Sequence, residues 1–411
     1  FQLFAQRFNP TGTFAAPSVF ADFTRGEDQV LLFGADTLLF RGVLPGVAPE
    51  LGAAIGGARN GLDDLVLLEV AGGLLLVVDL DDDGRLDARD IAVRFDGVTT
   101  LTQDDFDLAR GAFVTAGTEG ADSLRGTGRD DRLFGLGGDD TINGGGGFDT
   151  LDGGAGADVI RLGAGEARGG AGADLLIASG FGGSMDGGGG ADTVIGGTGS
   201  FIITGDAGDD LLIAGAGSEG LDGGEGRDTA DYGRSDAAVL VDLGAGAASG
   251  GFAAGDALTA VENLIGSRFG DSLAGGDGDN ILEGSAGDDT LRGAAGSDTL
   301  AGGAGADLFA YAALSDSTGE VPEVLDLILD FRRGQGDRLD LSAIDADLVA
   351  AGDQGFAFIG GAAFSGTGVA QIRFEIAGAI TLVEADLGDG AADLRIALLG
   401  QVRLTGADLV L

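Results

Sequence analysis

The 411-residue chain carries 67 acidic and 23 basic residues, a formal net charge of −44, and no His, Cys or Trp. Such a charge repels phosphate backbones and anionic lipid, which excludes nucleic acid as a partner and disfavours docking on anionic lipid. Without His or Cys there is no histidine zinc site, no His- or Cys-based nucleophile and no disulfide framework. No apolar run is long enough to span a bilayer.

In chain order, residues 1–115 are expected to form a β module. Its segment DLDDDGRLDARD places Asp79, Asp81, Asp83, Asp87 and Asp90 at the spacing of a calcium loop, with the carbonyl of Arg85 between them and Gly84 at the turn. The preceding LLLVV reads as a strand, so the loop sits on a β scaffold and not between helices. Asp90 stands where such loops carry a bidentate Glu, which weakens the expected affinity.

Residues 116–231 repeat a nine-residue phrase, GGxGxDx(apolar)x, as in GGGGFDTLD (144–152) and GGAGADVIR (153–161). The glycines permit a tight turn with positive φ. The Asp offers a hard oxygen ligand beside carbonyls left free by that turn. The apolar residue two places on points inward from a short strand. Two phrases make one coil of a parallel β-helix. Asp122, Asp140, Asp158, Asp174, Asp192, Asp210 and Asp228 then share one edge, at steps of eighteen except for sixteen between Asp158 and Asp174, where LGAGEAR replaces a full phrase. The other edge begins with Asp131 and Asp149, then carries Gly183, Phe201 and Glu219. That edge is expected to be metal-free over its second half, either by drift or because Phe181 and Phe201 contact another molecule.

Residues 232–265 interrupt the array with two apolar segments around a Gly/Ala-rich turn, expected to extend or cap the coils without binding metal. Residues 266–310 resume it. Asp271, Asp289 and Asp307 share one edge there, and Asn280 and Asp298 the other. Residues 311–411 form a second β module. Its loop EADLGDGAADL keeps only Asp386, Asp389 and Asp393, and no metal is expected there. The two modules look related: DFTRGEDQVLL (22–32) parallels DFRRGQGDRLDL (330–341), and DGVTTLTQDDFDL (96–108) parallels LGQVRLTGADLVL (399–411).

The phrase resembles the RTX (haemolysin-type) calcium-binding repeat. The segment from Asp307 to the end resembles the module that follows the roll in serralysin-type secreted proteases. The resemblance implies an all-β fold: a right-handed parallel β-roll flanked by two related β modules, with Ca²⁺ in both rows of turns, roughly ten ions in all. It also implies export from a Gram-negative bacterium by type I secretion machinery, with Asp408-Leu409-Val410-Leu411 matching the acidic-then-apolar export terminus. The protease chemistry does not carry over, because the histidine motif it needs is missing. The expectation is a secreted, non-catalytic, calcium-rigidified structural or adhesive protein at the cell surface or in matrix. Exposed strand edges or end coils offer templates for self-association. Residue 1 is Phe and the only methionine is Met185, so the chain is expected to be processed or part of something longer. An alternative is therefore a secretion and folding part of a larger enzyme or toxin. A second alternative is a carboxylate-based enzyme that modifies polysaccharides.

Overall fold

The computed structural model describes residues 115–317, 325–346 and 354–411 in full; before residue 115 it describes strands of the backbone only. The chain divides into two compact units, Phe1–Leu176 and Ile177–Leu411. Both are built from short parallel strands stacked as the coils of a β-solenoid. Among the described residues there is no α-helix, and no helix is long and apolar enough to cross a membrane.

Alternation along each strand positions the core. Asp131–Gly137 and Asp149–Ala155 bury every second residue. Parallel pairing then sets like residues over like. In the first unit Leu133 lies over Leu151 and Leu151 over Ala167, while Leu124, Ile142 and Ile160 form the opposite column. In the second unit one column runs Val194, Leu212, Ala230, Leu264, Leu282, Leu300, Ile328. The other runs Met185, Ile203, Leu221, Leu258, and, beyond the interruption, Val241, Leu273, Leu291, Phe309, Leu339, Leu409. Each column is one side chain wide, so the core depends on unbroken stacking rather than on bulk.

The segment after Tyr232 extends the solenoid. Leu240–Asp242 and Ala247–Ser249 pair antiparallel, and Ala257–Thr259 joins them. Leu258 stacks on Leu221, and Val241 passes the register on to Leu273.

The flanking segments match strand for strand. In the C-terminal one, Gln371–Ala377, Ile380–Asp386 and Leu394–Leu399 form an antiparallel meander. Its last strand runs parallel to Asp326–Ile328, its first parallel to Ala357–Phe358, and Arg338–Asp340 pairs with Leu409–Val410. In the N-terminal one, Asp63–Val70, Gly73–Asp79 and Ile91–Asp96 form the same meander. Its ends run parallel to Leu38–Leu44 and Ser18–Phe20, and Val30–Leu32 pairs with Phe106–Leu108. The kinship read from the two sequence parallels is thus present in the topology.

Candidate metal ladder

Each ladder Asp sits at the end of a glycine-rich turn, two residues before the inward apolar side chain of the following strand. The aspartates bond to one another along the edge. The N–H of Asp122 donates to Oδ1 of Asp140, that of Asp140 to Asp158, and that of Asp158 to Asp174, at 2.7 Å each. In the second unit Asp192 donates to Asp210 and Asp210 to Asp228, while Asp271 donates to Asp289 and Asp289 to Asp307. On the other edges Asp131 donates to Asp149 and Asn280 to Asp298. From the second rung of each row on, one carboxylate oxygen therefore serves the backbone of the rung before it.

The second oxygen is different. Oδ2 of Asp140, Asp149, Asp158, Asp210, Asp228, Asp289, Asp298 and Asp307 is buried and accepts no hydrogen bond. Burying an uncompensated ionised oxygen is costly. The shifts express that cost: burial first, then the neighbouring carboxylates, hold Asp149, Asp228 and Asp298 up at about 6 and Asp289 at about 7, although each gains a stabilising N–H from the rung before. Asp140, Asp158, Asp210 and Asp307 shift in the same direction for the same first reason. Rows of buried carboxylates facing turn carbonyls are a donor set for a hard divalent cation. Such a regular ladder of buried Asp is typical of calcium-binding RTX repeats.

All fourteen roll positions named from the sequence lie in these turns, and all except Asp122 are buried. Asp79, Asp81, Asp83, Asp87 and Asp90 lie outside the residues whose side chains are described. The oxygens of Asp386, Asp389 and Asp393 do come within 4.8 Å of one another. Asp386, however, already accepts the N–H groups of Gly388, Asp389 and Gly390.

The alternate edge departs from the sequence reading at two places. Phe201 is a core residue, 2% exposed, paired with Gly183 and with its ring edge beside Gly197; of the two, only Phe181, at 93%, faces solvent. Glu219 occupies a true rung: its N–H donates to Oδ1 of Asp256 at 2.7 Å, and Oδ2 of Asp256 accepts the Tyr232 hydroxyl. Burial, then the Asp256 carboxylate, pushes Glu219 up to about 8.

Four further rungs escaped the sequence reading. Besides Asp256, Glu262 accepts the N–H of Asp228, Asp326 that of Asp298, and Asp337 that of Asp307. Burial leads in raising Asp326 to about 8, beside the buried Tyr311. Asp256, Asp326 and Asp337 lie off the eighteen-residue step, so no spacing signal could find them; Glu262 stands eighteen residues before Asn280 but outside any glycine-rich phrase.

The sequence pattern of the family described as Peptidase M10 serralysin C terminal matches residues 54–411. No curated protein matches the chain. Among solved structures, a subunit of the Azotobacter vinelandii mannuronan C5-epimerase, determined in solution, is 31% identical over 36% of this chain and 77% of that one, with a TM-score of 0.26. With its RTX-type ladder and paired β modules, the chain belongs to the serralysin C-terminal family, the non-catalytic β-roll module of serralysin-type proteins.

Proposed function

We propose that this chain is a secreted scaffold folded and rigidified by extracellular Ca²⁺, with the ladder carboxylates as ligands. One observation carries the reading: eight aspartates of the glycine-rich turns, in register, bury an oxygen that no described residue satisfies. A cation bridging successive turns would supply the missing partner and relieve repulsion in a chain of net charge −44. Asp174 and Asp192 follow turns of the same conformation, after Gly170 and Gly188, and are assigned with the eight. The calcium loop at Asp79–Asp90 is assigned to the same metal on its spacing. Roughly ten ions would bind in all. Mg²⁺ would substitute poorly, because it demands a small octahedral shell.

The division into module (1–115), roll (116–231), insert (232–265), roll (266–310) and module (311–411) follows the two blocks of repeats. Folding on calcium suits export of an unfolded chain by type I machinery from a low-calcium cytosol, with the tail at Asp408–Leu411 as the address. The test is circular dichroism during calcium titration. We expect a disordered chain in chelator and a cooperative gain of β signal with Ca²⁺. Full β signal in chelator at neutral pH contradicts the proposal.

The family's description as a C-terminal module favours a second reading, in which the chain is the secretion and folding part of a longer polypeptide. The complete reading frame decides: an active domain upstream of Phe1 supports it.

A further inference from the structure

The ladder turns come in two conformations, and they divide the rungs. Four residues before Asp140, Asp149, Asp158, Asp210, Asp228, Asp289, Asp298 and Asp307 stand Leu136, Gly145, Gly154, Asp206, Gly224, Ser285, Ala294 and Gly303, all with positive φ between 73° and 103°. Among the described residues the Oδ2 of each of these eight rungs has no hydrogen-bond partner, as is also true of Asp326 in the irregular segment. Asp174 and Asp192 follow Gly170 and Gly188, which have the same conformation.

The first rung of each block on each edge is built otherwise. Thr118, Thr127, Ser267 and Gly276, four residues before Asp122, Asp131, Asp271 and Asn280, do not have positive φ. Their N–H groups turn inward and donate to the rung's side chain at 2.5 to 2.8 Å. The Thr118 and Thr127 hydroxyls add a second bond to the same Oδ2, at 2.9 and 3.0 Å. The Ser267 hydroxyl bonds Oδ1 of Asp271, which also accepts the Val239 N–H. Each hydroxyl in turn accepts an N–H two residues on. At Asn280 the amide nitrogen donates to the Glu262 carbonyl at 2.7 Å, so a nitrogen stands against an oxygen that a cation would otherwise seek.

We propose that these four first rungs are metal-free caps, in which an inward N–H with a Ser or Thr hydroxyl, or an Asn amide, takes the place of the cation. This rests on the calcium reading of the other rungs. The reason is geometric. A cation shared between coils needs a glycine-rich turn on each side. The segments outside the first rungs, before Gly117 and between Tyr232 and Val261, lack the repeat phrase. There the carboxylate must be satisfied from within its own turn. The hydroxyl alone does not decide. Ser285 occupies the same position before Asp289, but its positive φ directs its hydroxyl to the Gly266 carbonyl at 3.4 Å and leaves Oδ2 of Asp289 unmatched. Backbone conformation at this one residue selects between metal and hydrogen bond.

Anomalous diffraction from the calcium-bound full chain tests this. We expect peaks about 2.4 Å from Oδ2 of the eight unmatched aspartates and none at Asp122, Asp131, Asp271 or Asn280. Bound calcium is also counted in solution. Asp289→Asn should lower the count by at least one. Thr127→Val and Ser267→Ala should leave it unchanged while lowering the melting temperature of the calcium-bound protein. Peaks at the first rungs, or a count that falls in Thr127→Val, overturn the cap while leaving the calcium reading intact. A wild-type chain that binds no calcium overturns both.

Discussion

At the residue scale, the ladder aspartates decide when the fold exists. Their carboxyls hold protons to a higher pH in the folded state than an exposed carboxylate does, Asp289 to about 7. The metal-free fold therefore binds more protons than the unfolded chain between the ordinary carboxylate range and that pH. Its stability is present at acid pH and is lost as pH rises through about 6 to 7. In chelator, β signal at pH 5 should exceed that at pH 8; the reverse order would show that the buried oxygens are compensated without metal. In saturating Ca²⁺ the dependence should invert, because protons then compete with the ion for the same oxygens. The glycines of these turns are equally constrained. Gly305 has φ of 149°, and a Cβ there would stand 1.7 Å from the Gly287 carbonyl oxygen. Gly305→Ala must shift backbone, and we expect a marked fall in the calcium-bound melting temperature, whereas Gly334→Ala, with open space around it, should be silent.

At the element scale, three-residue strands such as Ile281–Glu283 are too short to stand alone. Each gains stability from the strand above and below, so a column fails where one member is lost. Leu282 is fully buried between Leu264 and Leu300. Leu282→Ala should cost about 2–5 kcal/mol in the calcium-bound protein, read from denaturant unfolding. A loss below about 1 kcal/mol would mean that the column relaxes around the gap. The same dependence explains Phe201. Its position in the repeat asks for a ligand, yet the chain places there a ring that is buried in the core. The C-terminal meander is held differently: buried Glu384 bridges Arg373 and Arg395 across adjacent strands.

At the scale of the whole molecule, the chain's end is part of the fold. Leu409 stacks on Leu339, and buried Asp408 pairs with Arg333 at 2.6 Å. The tail proposed as the export address is thus anchored at Asp408 and Leu409 once the last coil closes, with Leu411 left exposed. Calcium should protect it: carboxypeptidase digestion is expected to spare the terminus of the calcium-bound protein and to remove it in chelator. Equal digestion in both states would separate the tail from the fold. The family to which the chain belongs carries no catalytic role, and the ladder engages its buried acids in a repeating structural task.

The amino-acid sequence alone determined the solenoid, the period and the Asp ladder, because each follows from local rules: glycine at positive φ, one carboxylate per turn, one inward apolar residue per strand. The kinship of the flanking modules was also legible, since DFTRGEDQVLL and DFRRGQGDRLDL keep their pattern at corresponding strands. Tertiary structure decided what happens where the period breaks. Spacing could not say which edge Asn280 continues; Glu262 connects it to the row of Asp228, because the insert closes its extra strands before returning the chain to register. Nor could spacing supply Asp256, Asp326 or Asp337, which reach the ladder from irregular segments folded back onto it. The same nine-residue phrase also hid two turns. By the proposal above, whether a carboxylate faces a cation or its own backbone depends on one φ angle four residues before it, which the repeat phrase does not specify because Leu136, Asp206 and Ala294 adopt it as glycine does.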